Sequence, residues 1–355
     1  TSMLAQILTG LVCLFFLTCG VSTARAAFQG PLETPAVMSS LATKSRLTAV
    51  AHSGSRLVAA GPRGAMLLSE DNGNTWKQVA VPVSSNLVAV HFPTPEQGWA
   101  VGHEGVILHS SDGGRSWTKQ LDGNQAAKTI LSHYEKLAAA GDAAAAKALP
   151  DAQRFAQEGA DKPFLDVWFA NEKEGFAVGA FNLIMRTTDG GKTWLPLIER
   201  TDNPKALHLY AVRGNGEEVY IAGELGLLRR WDRASQRFVA LQSPYPGTFF
   251  GLLVKDKTVI AFGMRGNAFS SSDRGKSWRK LDTKTTAGLT GGAILDDGRV
   301  VLVSQDGKVL VAGAGSESFL PAKVTKPMAF SSVAPAGKNG IVAVGAQGVI
   351  TESLN

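Results

Sequence analysis

Cysteine is almost missing from this chain of 355 residues: Cys13 and Cys19 are the two, and both lie within the first 26 positions. The remainder carries no thiol, which excludes a disulfide framework, a cysteine nucleophile and a cysteine-held metal. Histidine is scarce as well, six residues in all, and His103-Glu104 with His109 matches no metal-ligand spacing. No metal and no cofactor is therefore expected. Neither a Gly-x-Ser-x-Gly elbow nor a phosphate loop is present. Basic runs interleaved with aromatics are also lacking, so nucleic acid is not an expected partner. There are 36 Lys and Arg against 30 Asp and Glu. Without residues 1–26, which contain Arg25, the surplus is five, the charge of a mildly basic solvated surface.

Long apolar runs are missing except at the start. Leu11 to Leu17 (LVCLFFL) is followed by Gly20 and by Ala24-Arg25-Ala26. A run that short, with a small-residue cleavage site behind it, reads as a secretory signal and not as a membrane span. Residues 1–26 are expected to be removed on export to a periplasm. Cys19 could carry a lipid, although Thr18 before it fits that role poorly.

What the chain has in excess is glycine: 39 residues, about one in nine, against a usual share of roughly 7%. Many glycines mean many tight turns, and many turns mean short strands. Four segments repeat one order of residues: Asp71, Gly73 and Trp76; Asp112, Gly114 and Trp117; Asp189, Gly191 and Trp194; Asp273, Gly275 and Trp278. In each, Ser or Thr stands two residues before the Asp and again just before the Trp. The Asp can accept hydrogen bonds from its own turn, the Gly permits the backbone to close, and the Trp can pack between sheets. This is an Asp-box hairpin, and its expected role is structural.

A second marker extends the repeat. A short apolar strand ends in Gly, with another Gly three residues on, at Gly61/Gly64, Gly102/Gly105, Gly223/Gly226, Gly263/Gly266 and Gly345/Gly348. Gly179 with Asn182 and Ser304 with Gly307 fit the same frame, giving seven units spaced by 40 to 44 residues, apart from one step of 77. Four short strands per unit of that length is the signature of propeller blades. The sequence thus predicts an all-β fold, a seven-bladed β-propeller of four-stranded antiparallel blades. The blades fall at about 47–80, 86–121, 164–198, 207–241, 248–281, 288–321 and 329–353. The last unit runs out after three strands, and residues 28–40 are expected to supply its outer strand, because an open edge invites aggregation.

The long step is an insertion at 122–162, between blades 2 and 3. Ala126 to Ala140 has Ile130, Leu131, Tyr134 and Leu137 at helical spacing; Asp142–Leu149 reads as a second helix, and Pro150 as the start of a third ending near Gly159. It is expected either to cap the rim or to dock a partner or cover the central opening. As a blade-to-blade connection it shares a face with the Gly-x-x-Gly turns, while the Asp boxes occupy the other. That face offers Arg63, His103, Glu104, Phe181, Leu225, Met264 and Arg265, together with Tyr245. Arginine, aromatic and aliphatic side chains together are the composition of protein-binding surfaces.

These units, such as GWAVGHEGVILHSSDGGRSW (98–117) and GFAVGAFNLIMRTTDGGKTW (175–194), resemble the photosystem II assembly-factor family of propellers, within the BNR/Asp-box group. The resemblance runs from about 47 to 353. It implies a non-catalytic, monomeric assembly, stability or accessory factor for a membrane protein complex, lumenal in oxygenic phototrophs. In other bacteria it implies an exported protein linked to an RND-type transporter. The insertion departs from the family pattern, and only Arg63 and Arg265 map onto the family's arginine patch. The rival reading is a sialidase-like glycoside hydrolase or carbohydrate-binding propeller. It lacks the usual arginine segment and a Tyr–Glu pair, and its least poor carboxylates are Glu104 and Glu224.

Overall fold

The computed structural model describes residues 28–354. The export segment, Cys13 and Cys19 lie outside the described residues. Within them the chain forms seven antiparallel sheets, six of four strands and one of three, with two helices between the second and third. The second sheet is typical: Leu87–His91 innermost, then Gly98–Gly102, Ile107–Ser110 and Thr118–Leu121 outermost. Inner strands of successive blades pack side by side around a central channel, and apolar clusters fill each gap between blades. The strands are rich in Val, Ile, Leu and Ala because they are covered on both faces; Gly98–Gly102, for instance, is buried throughout.

The Asp-box turns join the third and fourth strands of blades 1, 2, 3 and 5. Ser69 Oγ donates to Asp71 Oδ1 at 2.9 Å and accepts from Gly73 N at 2.8 Å, while Asp71 Oδ1 accepts from Thr75 N at 2.8 Å. The other three boxes repeat these bonds. Each box aromatic packs toward the preceding blade: Trp117 joins the cluster of blade 1 and Trp194 that of blade 2. The box glycines also touch the preceding blade. A Cβ on Gly73, at φ +86°, would lie 2.4 Å from Val342.

Two expectations need correction. Residues 28–40 form no strand, and the last blade stays three-stranded, Phe330–Ala336, Gly340–Gly345 and Gly348–Ser353. The N-terminal stretch lies instead against blade 1, where Ala36 N donates to Val81 O and Gln78 Nε2 to Val37 O. Pro31 and Pro35 have no N–H to give a ladder. The seam between blades 7 and 1 is held by packing and by isolated bonds, such as Leu47 N to Gly345 O (3.0 Å) and Thr351 Oγ1 to Gly73 O (2.8 Å).

The insertion is two helices, not three: α1 (Gly123–Ala139) and α2 (Ala143–Glu158), with Pro150 inside α2. Ala145, Ala148, Ala152 and Phe155 form one buried face that continues across Pro150, and that burial outweighs the roughly 3 kcal/mol of a mid-helix proline. Asp122 caps α1 in a reciprocal pair with Gln125. The hairpin packs against the outer edge of blade 3 and the turn of blade 2, and none of its residues lines the channel. Tyr134, fully buried, donates its hydroxyl to Glu199 and accepts from Ile198 N at 2.9 Å. Among the described residues no helix is long and apolar enough to cross a membrane.

Candidate functional site

The turns between second and third strands build one face. In five blades the turn closes with an i to i+3 bond, such as Ala65 N to Pro62 O and Val106 N to His103 O. The two central residues then have positive φ, as in type I′ turns. Arg63 (φ 57°), Glu104 (53°), Phe181 (54°), Leu225 (52°) and Arg265 (55°) occupy the first central position. Gly, Asn or Asp would be comfortable there; a larger side chain costs roughly 1–2 kcal/mol at each site. The second central residue is Gly in four of the turns and Asn182 in the fifth. Where it is Gly there is no room for a side chain: a Cβ on Gly64 would meet Val83 O at 2.2 Å.

The structure brings most of the sequence-selected residues to this face. Phe181 and Leu225 are exposed at 48% and 62%, and Met264 at 38%. Arg63, His103 and Arg265 are exposed as well, and Glu104 is half-buried. One Glu104 carboxylate oxygen is buried without a partner. Tyr245 behaves differently: its ring packs on Phe249 and Phe269, a half-buried wedge between blades 4 and 5. Glu224 accepts from His208 N at 2.7 Å. The insertion abuts blades 2 and 3 here, and the Lys162 ammonium, held by Glu158 and Asp161, lies 5.5 Å from the Phe181 ring centre.

Sequence reasoning missed a line of aromatics that runs inward from Phe181. His208 meets it edge-on at 4.6 Å, Tyr210 lies 6.2 Å beyond, and Phe250 a further 5.7 Å. Tyr210 and Phe250 reach the channel because the inner strand of each of these blades carries a β-bulge at that residue. The same one-residue slip recurs in blades 2, 3, 6 and 7. The 40-residue interval between Tyr210 and Phe250 was the available signal.

The channel has a volume of about 600 Å³ and receives residues from all seven inner strands. Its wall holds an ion pair between Arg213 and Asp166, whose carboxylate also accepts from Val212 N. His91 Nδ1 accepts from Phe169 N at 3.1 Å. Burial, aided by the charge of Arg213, pushes His91 down to about 3, so the ring is neutral. No three His, Cys, Asp or Glu side chains among the described residues are placed to hold a metal.

Strained turns thus display large side chains on one face of a seven-bladed propeller. The chain belongs to the family described as photosynthesis system II assembly factor YCF48, whose sequence profile matches residues 37–109, 68–135 and 152–326. The unmatched residues 136–151 lie within the helical insertion. Photosystem II assembly lipoprotein Ycf48 of Synechococcus sp. (strain CC9902) is 21% identical over 79% of this chain and 76% of its own. A solved structure of YCF48 bound to a D1 peptide aligns with a TM-score of 0.64 at 15% identity, over 91% of this chain and 99% of that one. YCF48 from Cyanidioschyzon merolae aligns at 0.63 and 16%, over 88% and 96% respectively.

Proposed function

We propose that this protein is an exported, non-catalytic scaffold that holds a segment of a membrane protein while its complex is assembled or maintained. Family membership supports the assembly role. The observation that carries the choice of face is the set of five left-handed turn residues, Arg63, Glu104, Phe181, Leu225 and Arg265. Strain retained at five equivalent places points to use of the side chains it displays. His103 and Met264 extend the contact surface, and Tyr245 sets the spacing of blades beneath it. The apolar run at Leu11–Leu17 and the Ala24-Arg25-Ala26 site support delivery to a periplasm or lumen. The partner is a photosystem subunit in a phototroph and an RND-type transporter subunit elsewhere.

Affinity capture from crosslinked cells tests the reading. The wild-type protein should retain an envelope or thylakoid membrane protein. A Phe181→Ser/Leu225→Ser variant, folded as judged by melting, should retain at least tenfold less, as expected when two apolar anchors of about 1–2 kcal/mol each are lost. A wild-type bait that retains no membrane protein would refute it.

A further inference from the structure

The opposite face, where the Asp boxes lie, holds a second concavity that the partner-binding face does not account for. Strand register places one aromatic at the same point in six blades, immediately before the outermost strand in five of them and within it in blade 4. These are Trp76, Trp117, Trp194, Phe238, Trp278 and, in blade 6, Phe319. In blades 1, 2, 3 and 5 the slot against the preceding blade is filled by an indole. Blade 4 fills it with two rings, Phe238 and Trp231, whose centres are 4.9 Å apart. Blade 6 has Phe319 with Ala312 opposite it, and it lacks the box.

The facing wall is reduced too. The residue of blade 5 that looks into this slot is Ser270, paired with Ile260 and Arg279. Its counterparts in blades 1, 2 and 3 are Leu68, His109 and Arg186. A small ring on one side and a serine on the other leave a cavity of about 410 Å³ between blades 5 and 6. That is within the roughly 300–1,000 Å³ of small-ligand sites. Its floor is apolar, with Ile260, Leu281 and Phe319 buried beneath it. Hydroxyls of Thr258, Ser270 and Ser272 line the wall, and Lys255 and the Arg279–Glu317 ion pair stand at the rim.

We infer that this gap between blades 5 and 6 is a binding site for a planar aromatic group of indole size bearing a polar edge. The protein itself shows what such a slot accepts, since four sibling slots each close on an indole. The wall hydroxyls supply acceptors for a ring N–H, and the apolar floor takes the ring faces. The ring can arrive as a free small molecule or as an aromatic side chain of a polypeptide.

The test uses the full chain and three probes: indole, N-acetyl-tryptophanamide and a tryptophan-containing pentapeptide. Binding is followed by ligand-observed NMR and calorimetry. Wild-type protein should bind indole saturably at one site. Phe319→Trp, which restores the residue of the sibling blades, should weaken binding at least tenfold without lowering the melting temperature. Ser270→Leu, which copies Leu68 of blade 1, closes the slot from the other wall and serves if the first variant misfolds. Tighter binding of the pentapeptide than of indole identifies a side chain as the natural occupant; the reverse identifies a free molecule. Absence of saturable indole binding, or binding unchanged in both folded variants, overturns the inference. Neither result bears on the turn-bearing face, whose test is membrane-protein capture.

Discussion

Tyr134 fastens the helical insertion to blade 3, and Tyr134→Phe should release it in a measurable way. The substitution keeps the ring, which is fully buried, and removes one oxygen. Two bonds go with it, the one given to Glu199 and the one accepted from Ile198 N. A hydrogen bond to a charged group is worth about 1.5–3 kcal/mol, and a buried N–H left unpaired costs about 1–3. The terms overlap, so the expected loss is about 2–4 kcal/mol. Spread over the whole domain, this lowers the melting temperature by about 3–6 °C. Confined to the insertion, it speeds amide exchange in α1 and α2 by roughly 30- to 700-fold. Protease cleavage at the exposed Gly141-Asp142 turn should rise in parallel. The sign with pH is fixed: burial and the Glu199 carboxylate push the phenol up. Its contribution is complete below the ordinary phenol range and disappears as pH climbs past it. A variant with wild-type melting and unchanged exchange in both helices would show that the hydroxyl does not anchor the hairpin.

Two further outcomes follow from other parts of the ring. Hydrogen bonds from Thr75, Thr193 and Ser277 hold Asp71, Asp189 and Asp273 below the usual carboxylate range, Asp273 at about 2. At Asp112 partial burial opposes the shift, yet the bonds from Ser116 still carry it down. Their stabilisation is therefore present above about pH 4 and lost as pH falls toward 2. Urea melts at stepped pH should show that decline, shallower in Asp273→Asn; an identical slope would refute it. Gly348→Ala places a Cβ 1.9 Å from Thr43 O at φ +94°. It should cost about 2–4 kcal/mol in a urea titration, and a loss under 1 kcal/mol would show that the seam yields easily.

The blade count was legible because the geometry of each blade demands particular residues at fixed places. Gly64 must avoid Val83 O and Gly73 must avoid Val342, so glycine recurs in register. Trp117 and Trp194 recur because each fills the same kind of gap against the preceding blade. What escaped reading depends on contacts remote in sequence. The resting place of residues 28–40 is decided by Gln78 and Val81, and α2 runs through Pro150 because blade 3 and α1 cover its apolar face. The bulges that turn Tyr210 and Phe250 into the channel shift register by one residue, a change that hydrophobic alternation cannot signal.

The seam between blades 7 and 1 has a mechanical consequence. Elsewhere consecutive blades are tied by the chain itself, but here first and last blade meet through side-chain packing and single bonds. Under tension this is where the circle parts, and the six remaining joints stay covalently strung. A pull across the ring therefore loads the Leu47–Gly345 and Thr351–Gly73 bonds before any covalent link.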